Sequence, residues 1–390
     1  MIVAVDPYLI DWLDFLLRWL HVIAGIAWIG TSFYFVALDN HLDPPKRRED
    51  ADAGVAGESW EIHGGGFYVV QKFKVAPKEL PDPLHWFKWE AYTTWLSGFA
   101  LFCVLYYVDA SLKLVDADLS EGWAIAISIG LLAVAWLVYD GLCKVIRNEL
   151  ALAGVLVALI TATAYGLSLL YTDRAVWLQL GAMLGTIMTA NVFIVIIPAH
   201  WDLIRAKEAG REPDPAPLIR AKQRSVHDNY LTLPVLVAML GGHFAVAYGY
   251  EDGWLVLVCL MLVGAWIRVY FHLRHAGRTV WWIPLTAAAA LVAIAIWIRP
   301  PDANSSSVGP PVTIAQVEHI VDQRCVTCHS GVSPPKGIRL ETPDEITAQA
   351  TMIEQVAVLT KVMPLGNATH MTDAERELLG RWIRQGAPTQ

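Results

Sequence analysis

Charge is what this sequence has least of. Asp, Glu, Lys and Arg together make up 17% of the residues, against about a quarter in soluble domains. Hydrophobic residues reach 55% and mean hydropathy is +0.42, which excludes an ordinary soluble globule and implies a polytopic membrane protein. A basic excess is also missing. The net charge of −8 excludes nucleic acid as a partner. Cysteine is sparse, with five in the chain. Cys103, Cys143 and Cys259 are scattered through apolar runs, where a free thiol serves as a small buried hydrophobe, so no disulfide framework is implied. The first ten residues lack a basic stretch and carry Asp6, so no cleaved signal peptide is expected. No internal repeat is visible.

Long apolar runs are what the sequence does have. Runs of about 20 residues cross a hydrocarbon core of about 30 Å as helices. Eight such spans are expected, over 9–37, 85–108, 122–142, 149–171, 175–200, 228–249, 253–274 and 280–298. Trp and Tyr gather near several ends, as an interfacial belt requires. The odd-numbered connections carry 16 Lys and Arg, and the even-numbered ones carry two, Lys113 and Arg174. By the positive-inside rule the odd connections are cytoplasmic. The N-terminus is then outside, and eight spans return the C-terminus to the same side.

Two connections are long. In the first, His63-Gly64-Gly65-Gly66-Phe67-Tyr68 reads as a Gly-rich turn leading into a short strand or interfacial segment. It is either a plain turn or a loop whose glycines let backbone approach a ligand. The connection 202–226, charged and carrying Pro213, Pro215 and Pro217, reads as a solvated cytoplasmic excursion. Residues 300–311 have linker composition, which separates the first 299 residues from a polar, helical C-terminal domain, 312–390, of small-cytochrome size.

That domain contains Cys325-Val326-Thr327-Cys328-His329. C-x-x-C-H is the attachment pattern for c-type haem: two thiols meet the vinyl groups and the imidazole ligates iron. Chance or a zinc site are the bland alternatives. A Met thioether commonly supplies the second axial ligand, and Met363, ahead of the last helix, is the candidate, with Met371 as runner-up. That helix opens with the capping-box pattern Thr372-Asp373-Ala374-Glu375. Haem attachment on the outer side agrees with the topology.

Histidines mark the membrane part. At 1.5 Å per residue, His21 and His243 each lie about 24 Å from the cytoplasmic ends of their spans, so they could ligate a b-type haem; hydrogen-bonded packing is the alternative. Ionisable groups within a bilayer are costly and commonly functional. A second set gathers at the cytoplasmic ends: His63, His85, His200, His227 and His272, with His41 and His275, and with Glu90, Asn191 and Arg268 at similar depth. These are the candidate catalytic residues for a polar, anionic heterocycle, although helix-end histidines are also ordinary interfacial residues. Electrons leaving such a site would have to cross most of the roughly 30 Å core to reach a haem outside.

Three stretches carry a family resemblance. They are Leu17-Arg18-Trp19-Leu20-His21 with Trp28-Ile29-Gly30, the His63–Tyr68 turn, and His85-Trp86-Phe87-Lys88-Trp89-Glu90-Ala91-Tyr92. Together with Met363-Pro364-Leu365-Gly366-Asn367-Ala368-Thr369, they resemble the bacterial membrane-bound urate oxidases (urate hydroxylases). The resemblance covers essentially the whole chain. It implies an all-α, eight-span inner-membrane domain fused to a class I cytochrome c. It also implies oxidation of urate to 5-hydroxyisourate, with electrons passing to haem c and on to a soluble cytochrome c or terminal oxidase. Haem c ligation carries over onto Cys325, Cys328, His329 and Met363. The first-span pattern is also similar to haem-binding protoporphyrinogen oxidases, which favours His21 as a haem ligand. The rival readings are a respiratory quinol or cytochrome c electron-transfer protein without purine specificity and, more distantly, a transporter with a redox sensor.

Overall fold

The computed structural model describes residues 7–115, 119–299, 309–332 and 334–389. Residues 300–308 of the expected linker lie outside them. The chain is mostly helical. Helix α1 (Pro7–Asn40) packs on α2 (Trp89–Phe102), which a π-turn extends through Cys103–Tyr107. Then come α3 (Glu121–Val145), α4 (Glu149–Ser168) and α5 (Asp173–Ala190), which runs through a second π-turn, Asn191–Ile196, into α6 (Ile197–Glu208). Helices α7 (Pro215–Gly241), α8 (Gly253–His275) and α9 (Trp282–Trp297) complete the bundle. Among the described residues, five segments are long and apolar enough to cross a membrane: Tyr8–Asn40, Glu121–Val145, Glu149–Ser168, Asp173–Glu208 and Gly253–His275.

The charged connection between α6 and α7 differs from expectation. It is helical up to Glu208 and again from Pro215. Proline is tolerated in the first turn of a helix, and Asp214 caps α7 by accepting from Ala216 N at 2.9 Å. Helix α7 therefore starts earlier than the expected sixth span, and it ends at Gly241 rather than near residue 249. The first connection departs from the all-α class. Strands β1 (Val55–His63) and β2 (Gly66–Phe73) form an antiparallel hairpin around Gly64 and Gly65, whose φ of 59° and 82° suit a tight primed turn. Asp39, at the end of α1, accepts from Lys72 of β2 at 2.6 Å and from Lys222 of α7 at 2.7 Å. The hairpin is thereby tied across that end of the bundle.

The bundle core centres on buried Trp177, whose Nε1 donates to Gly253 O at 3.1 Å. Buried Ser128 and Gln179 satisfy each other through two hydrogen bonds of 2.6 and 3.0 Å. Gly264 allows the close crossing of α7 and α8, since a Cβ there would stand 3.2 Å from Leu233 Cβ and 3.3 Å from Pro234 N.

The C-terminal unit has its own core of Val317, Ile320, Leu340, Ile346, Leu379 and Trp382. It joins α10 (Ile314–Arg324), short helices over Pro343–Ala348 and Ala350–Leu359, and α11 (Asp373–Arg384). Thr372 and Glu375 close the capping box at the start of α11. Glu375 also accepts from Arg324 Nε and Nη2 at 3.0 and 2.8 Å, which fastens α10 to α11.

The Arg324 guanidinium holds the Glu375 carboxyl below its ordinary range, with the Thr372 N–H and hydroxyl assisting. A depressed carboxylate stabilises the fold above its unfolded value, about pH 4.3, and loses that contribution as pH falls through the lower folded value. Glu375→Gln keeps the capping acceptor but loses the ion pair. We expect it to weaken α11 by about 0.5–1 kcal/mol at pH 7 and the difference from wild type to shrink as pH falls below the unfolded value. Hydrogen exchange over Asp373–Arg384, corrected for intrinsic rates, measures this.

The unit rests on one end of the bundle. Partly buried Val362 packs against the bundle core. A Cβ at Gly249 would lie 2.7 Å from Thr360 Cβ and 2.8 Å from Val362 Cγ2, and one at Gly366 would lie 3.3 Å from Leu112 O. The loop carrying Met363 is thus the docked face.

Candidate functional site

Near the opposite end, α1, α7 and α8 bring together groups with unspent hydrogen-bonding capacity. The α8 stripe of Arg268, His272 and His275 follows the i, i+4, i+7 spacing of one helix face. Arg268 is 3% exposed and Asn229, facing it from α7, is 2% exposed. Arg268 Nε donates to Asn229 Oδ1 in a short hydrogen bond. Four buried atoms around this contact have no hydrogen-bond partner among the described residues: Arg268 Nη2, Asn229 Nδ2, His272 Nε2 and His275 Nδ1. Most buried polar groups in native proteins are paired, so four orphans on one helix face and its neighbour mark a place that a polar ligand would satisfy.

Aromatic rings line the same place. The Arg268 guanidinium lies 4.2 Å from the Phe33 ring centroid on α1. Tyr230 stacks on His272 with centroids 4.6 Å apart and a 20° interplanar angle. His41, just past α1, meets His275 edge-on at 5.5 Å. A guanidinium, an amide and two imidazoles between aromatic faces are a donor set that a planar, anionic ligand would suit.

Next to it, α3, α4, α5 and α7 hold a second polar chain. Tyr139 Oη lies 2.9 Å from His227 Nδ1, and His227 Nε2 lies 3.0 Å from Glu149 Oε2. Asn191, in the first turn of the π-segment, donates from Nδ2 to Tyr139 Oη at 3.2 Å and to Asp228 Oδ1 at 2.8 Å. Arg224 lies 4.8 Å over the Tyr139 ring and donates to Asp140 at 2.8 Å.

The expected histidines therefore occupy different surroundings. His272 joins the orphan cluster and His227 the adjacent chain. His63 is exposed at the hairpin tip, paired with Gly66. His85 and His200 are exposed, and His200 Nδ1 lies 2.7 Å from Ile196 O in its own helix. The stacked pair Trp86–Trp201, 4.8 Å apart, stands beside these two. Histidine counting passed over Asn229, Tyr230, Phe33 and Tyr139. The run His227-Asp228-Asn229-Tyr230, four polar or amphipathic residues within an otherwise apolar helix, was the available signal.

At the docked end, His21 Nδ1 lies 2.9 Å from Thr94 O, and the bare Gly98 accommodates its ring. That bond leaves Nε2 as the free nitrogen, the arrangement of a second-shell-oriented ligand. His243 does not lie in a helix. It stands exposed in the turn after Gly241, within electrostatic reach of Arg18, Arg174, Lys336 and Asp14.

In the C-terminal unit, Cys325 caps α10, and the next turn brings Cys328 N to Cys325 O at 3.1 Å and His329 N to the same oxygen at 2.9 Å. His329 Nδ1 lies 3.0 Å from Ile338 O, which again leaves Nε2 free. Burial pushes the Cys325 thiol up to about 11, the opposite of a dithiol redox motif, whose reactive cysteine is depressed. No group of three His, Cys, Asp or Glu able to hold a metal ion forms among the described residues, so the C-x-x-C-H turn gathers no zinc-type ligand set there. Met363 is partly buried, its N bonded to Val356 O at 2.8 Å and its O accepting from Arg376 Nη1 at 2.6 Å. Met371 is a core residue, 3% exposed. Two free thiols, an imidazole oriented through Nδ1 and a methionine whose backbone is held on both sides are the residues here that could hold a covalent haem.

Comparison with known families places residues 7–299 in a match to the family described as urate oxidase N-terminal. Neither the curated proteins nor the solved structures yield a match.

Proposed function

The chain belongs to the urate oxidase N-terminal family, and on that premise we propose that it oxidises urate to 5-hydroxyisourate at the cluster of Arg268, Asn229 and His272. The observation that carries this is the convergence of buried donors without partners there. The Arg268 fork pairs with the purine anion, as guanidinium suits planar acceptors. Asn229 reads a carbonyl or ring nitrogen. Tyr230 and Phe33 bound the plane. His272 takes a proton from the water that adds at C5. Urate and water together yield 5-hydroxyisourate, two electrons and two protons.

We propose eight spans in a bacterial inner membrane, with the N-terminus and the C-terminal unit periplasmic, which the 16-to-two bias of Lys and Arg supports. Cys325, Cys328, His329 and Met363 would hold a haem c, which when bound accepts electrons singly for delivery to a soluble cytochrome c or terminal oxidase. A haem b is less well supported: His21 has the posture of a ligand, but His243 stands outside α7 in an exposed turn. We expect a pyridine haemochrome spectrum of the purified protein to show c-type haem alone. An equal b-type signal would restore His21 and His243 as its ligands.

The docked loop is the route by which electrons reach the C-terminal unit. Gly249→Val should displace that loop and slow urate-driven reduction at least tenfold, with equilibrium binding of urate unchanged. Rapid-mixing spectroscopy and equilibrium dialysis separate the two effects.

The reaction itself is tested by turnover in isotopically labelled water. The new hydroxyl of 5-hydroxyisourate should carry water oxygen. Label arriving from dioxygen would contradict the scheme.

A further inference from the structure

A long cavity of about 700 Å³ lies between α3, α4, α7 and α8. Most of its lining is apolar, including Leu156, Ile160, Leu231, Val258 and Met261. Leu150 and Leu262, also on its wall, are exposed on the outside of the bundle, so the cavity opens sideways toward whatever surrounds the helices. One end is different. Tyr139, Glu149, Gln223, His227 and Tyr230 meet there. An elongated apolar slot with a polar head fits an amphiphile rather than urate.

The polar end is also wired for protons. Tyr139, His227 and Glu149 form a continuous chain with gaps of 2.9 and 3.0 Å, and the Glu149 side chain is 60% exposed. Each of the three can accept and release a proton. Pro234, on the cavity wall, has no N–H to offer the Tyr230 carbonyl one turn earlier, which leaves an acceptor beside the head. Tyr230 belongs to both places: it lines this cavity and stacks on His272 of the orphan cluster.

Distance gives the cavity a purpose. Arg268 lies 15 residues along α8 from Gly253, which follows the loop-contacting Gly249 by four residues, and at 1.5 Å per residue that is about 22 Å. Electrons released at Arg268 have a shorter way out through a carrier sharing the Tyr230 wall.

We propose that this cavity binds a lipophilic quinone, with its ring at Tyr139, His227 and Glu149 and its tail along α4 and α8 toward the bilayer. Its redox role rests on the urate reaction above. There, urate, water and quinone give 5-hydroxyisourate and quinol: the two electrons reduce the quinone, and the two protons released balance the two taken up, one path being Glu149 to His227. The quinol then carries electrons away through the membrane, beside the route that ends at the docked unit.

The test uses the full-length protein in phospholipid nanodiscs with an azido-substituted benzoquinone bearing a short alkyl tail. Photolabelling should fall on peptides spanning residues 150–160 and 223–234, be displaced by unlabelled quinone, and drop at least tenfold in Leu156→Trp, which fills the slot. Because Leu156→Trp adds bulk to a packed helix face, Glu149→Gln is the second variant; it should retain labelling yet slow urate-dependent quinol formation at least fivefold. Labelling spread over all outward-facing helices, or displaced equally by added phospholipid, would overturn the site. Urate binding measured on the same discs keeps the two claims apart. Binding of urate without slot labelling removes the quinone site alone. Slot labelling without urate binding leaves the site standing and removes the urate assignment.

Discussion

Arg268→Gln should lower kcat/KM for urate by about a hundredfold to a thousandfold. A hydrogen bond to a charged group contributes about 1.5–3 kcal/mol, and leaving an anion unpaired in a buried site costs about 3–5 kcal/mol. With substrate free to stay in water instead, a loss of about 3–4 kcal/mol is reasonable, at about 1.4 kcal/mol per decade. Arg268→Lys is informative because it keeps the charge and loses the fork. It should recover no more than a tenth of the wild-type value. The variant's fold is checked by circular dichroism. Steady-state kinetics with urate, reported as kcat and KM separately, measures the effect. If Arg268→Gln were within threefold of wild type, the orphan cluster would not be where the anion sits.

The second large effect is at the other end. Cys325→Ser combined with Cys328→Ser should abolish covalent haem attachment, read as loss of haem staining on a denaturing gel. Electron delivery to an external cytochrome c should fall below a hundredth of wild type, because the docked unit then has no covalently held acceptor. Equilibrium binding of urate should not change, since Arg268 and Asn229 lie on α8 and α7 and not in the C-terminal unit. Loss of urate binding as well would mean that the C-terminal unit holds the bundle together.

The helices were legible because hydrophobic run length is a one-dimensional signal, as α3 and α4 illustrate. Their boundaries were less so. The charge of 202–226 suggested a loop, yet Asp214 and Pro215 are also the residues that open a helix, and α7 begins there. The hairpin was half legible: Gly64 and Gly65 announced the turn, and Trp60 and Ile62 alternate with Glu61 and His63 as strand residues do, but these apolar side chains, with Phe67, are exposed rather than turned into a core. In the site, Arg268 and His272 could be named from charge in an apolar run. Asn229 and Tyr230 were marked only by the polar run 227–230 and Phe33 by nothing, because their role depends on which helices touch. Gly264, which lets α7 and α8 close, carries no chemical signal at all in the sequence.

Anaerobic addition of urate to the purified protein tests the central claim most directly, by following the haem absorbance and assaying peroxide in the same sample. We predict reduction of the c-type haem without dioxygen, formation of 5-hydroxyisourate, no stoichiometric peroxide on readmission of air, and no reduction by quinol in the absence of urate. An oxidised haem that stays oxidised while urate disappears with equimolar peroxide would contradict it.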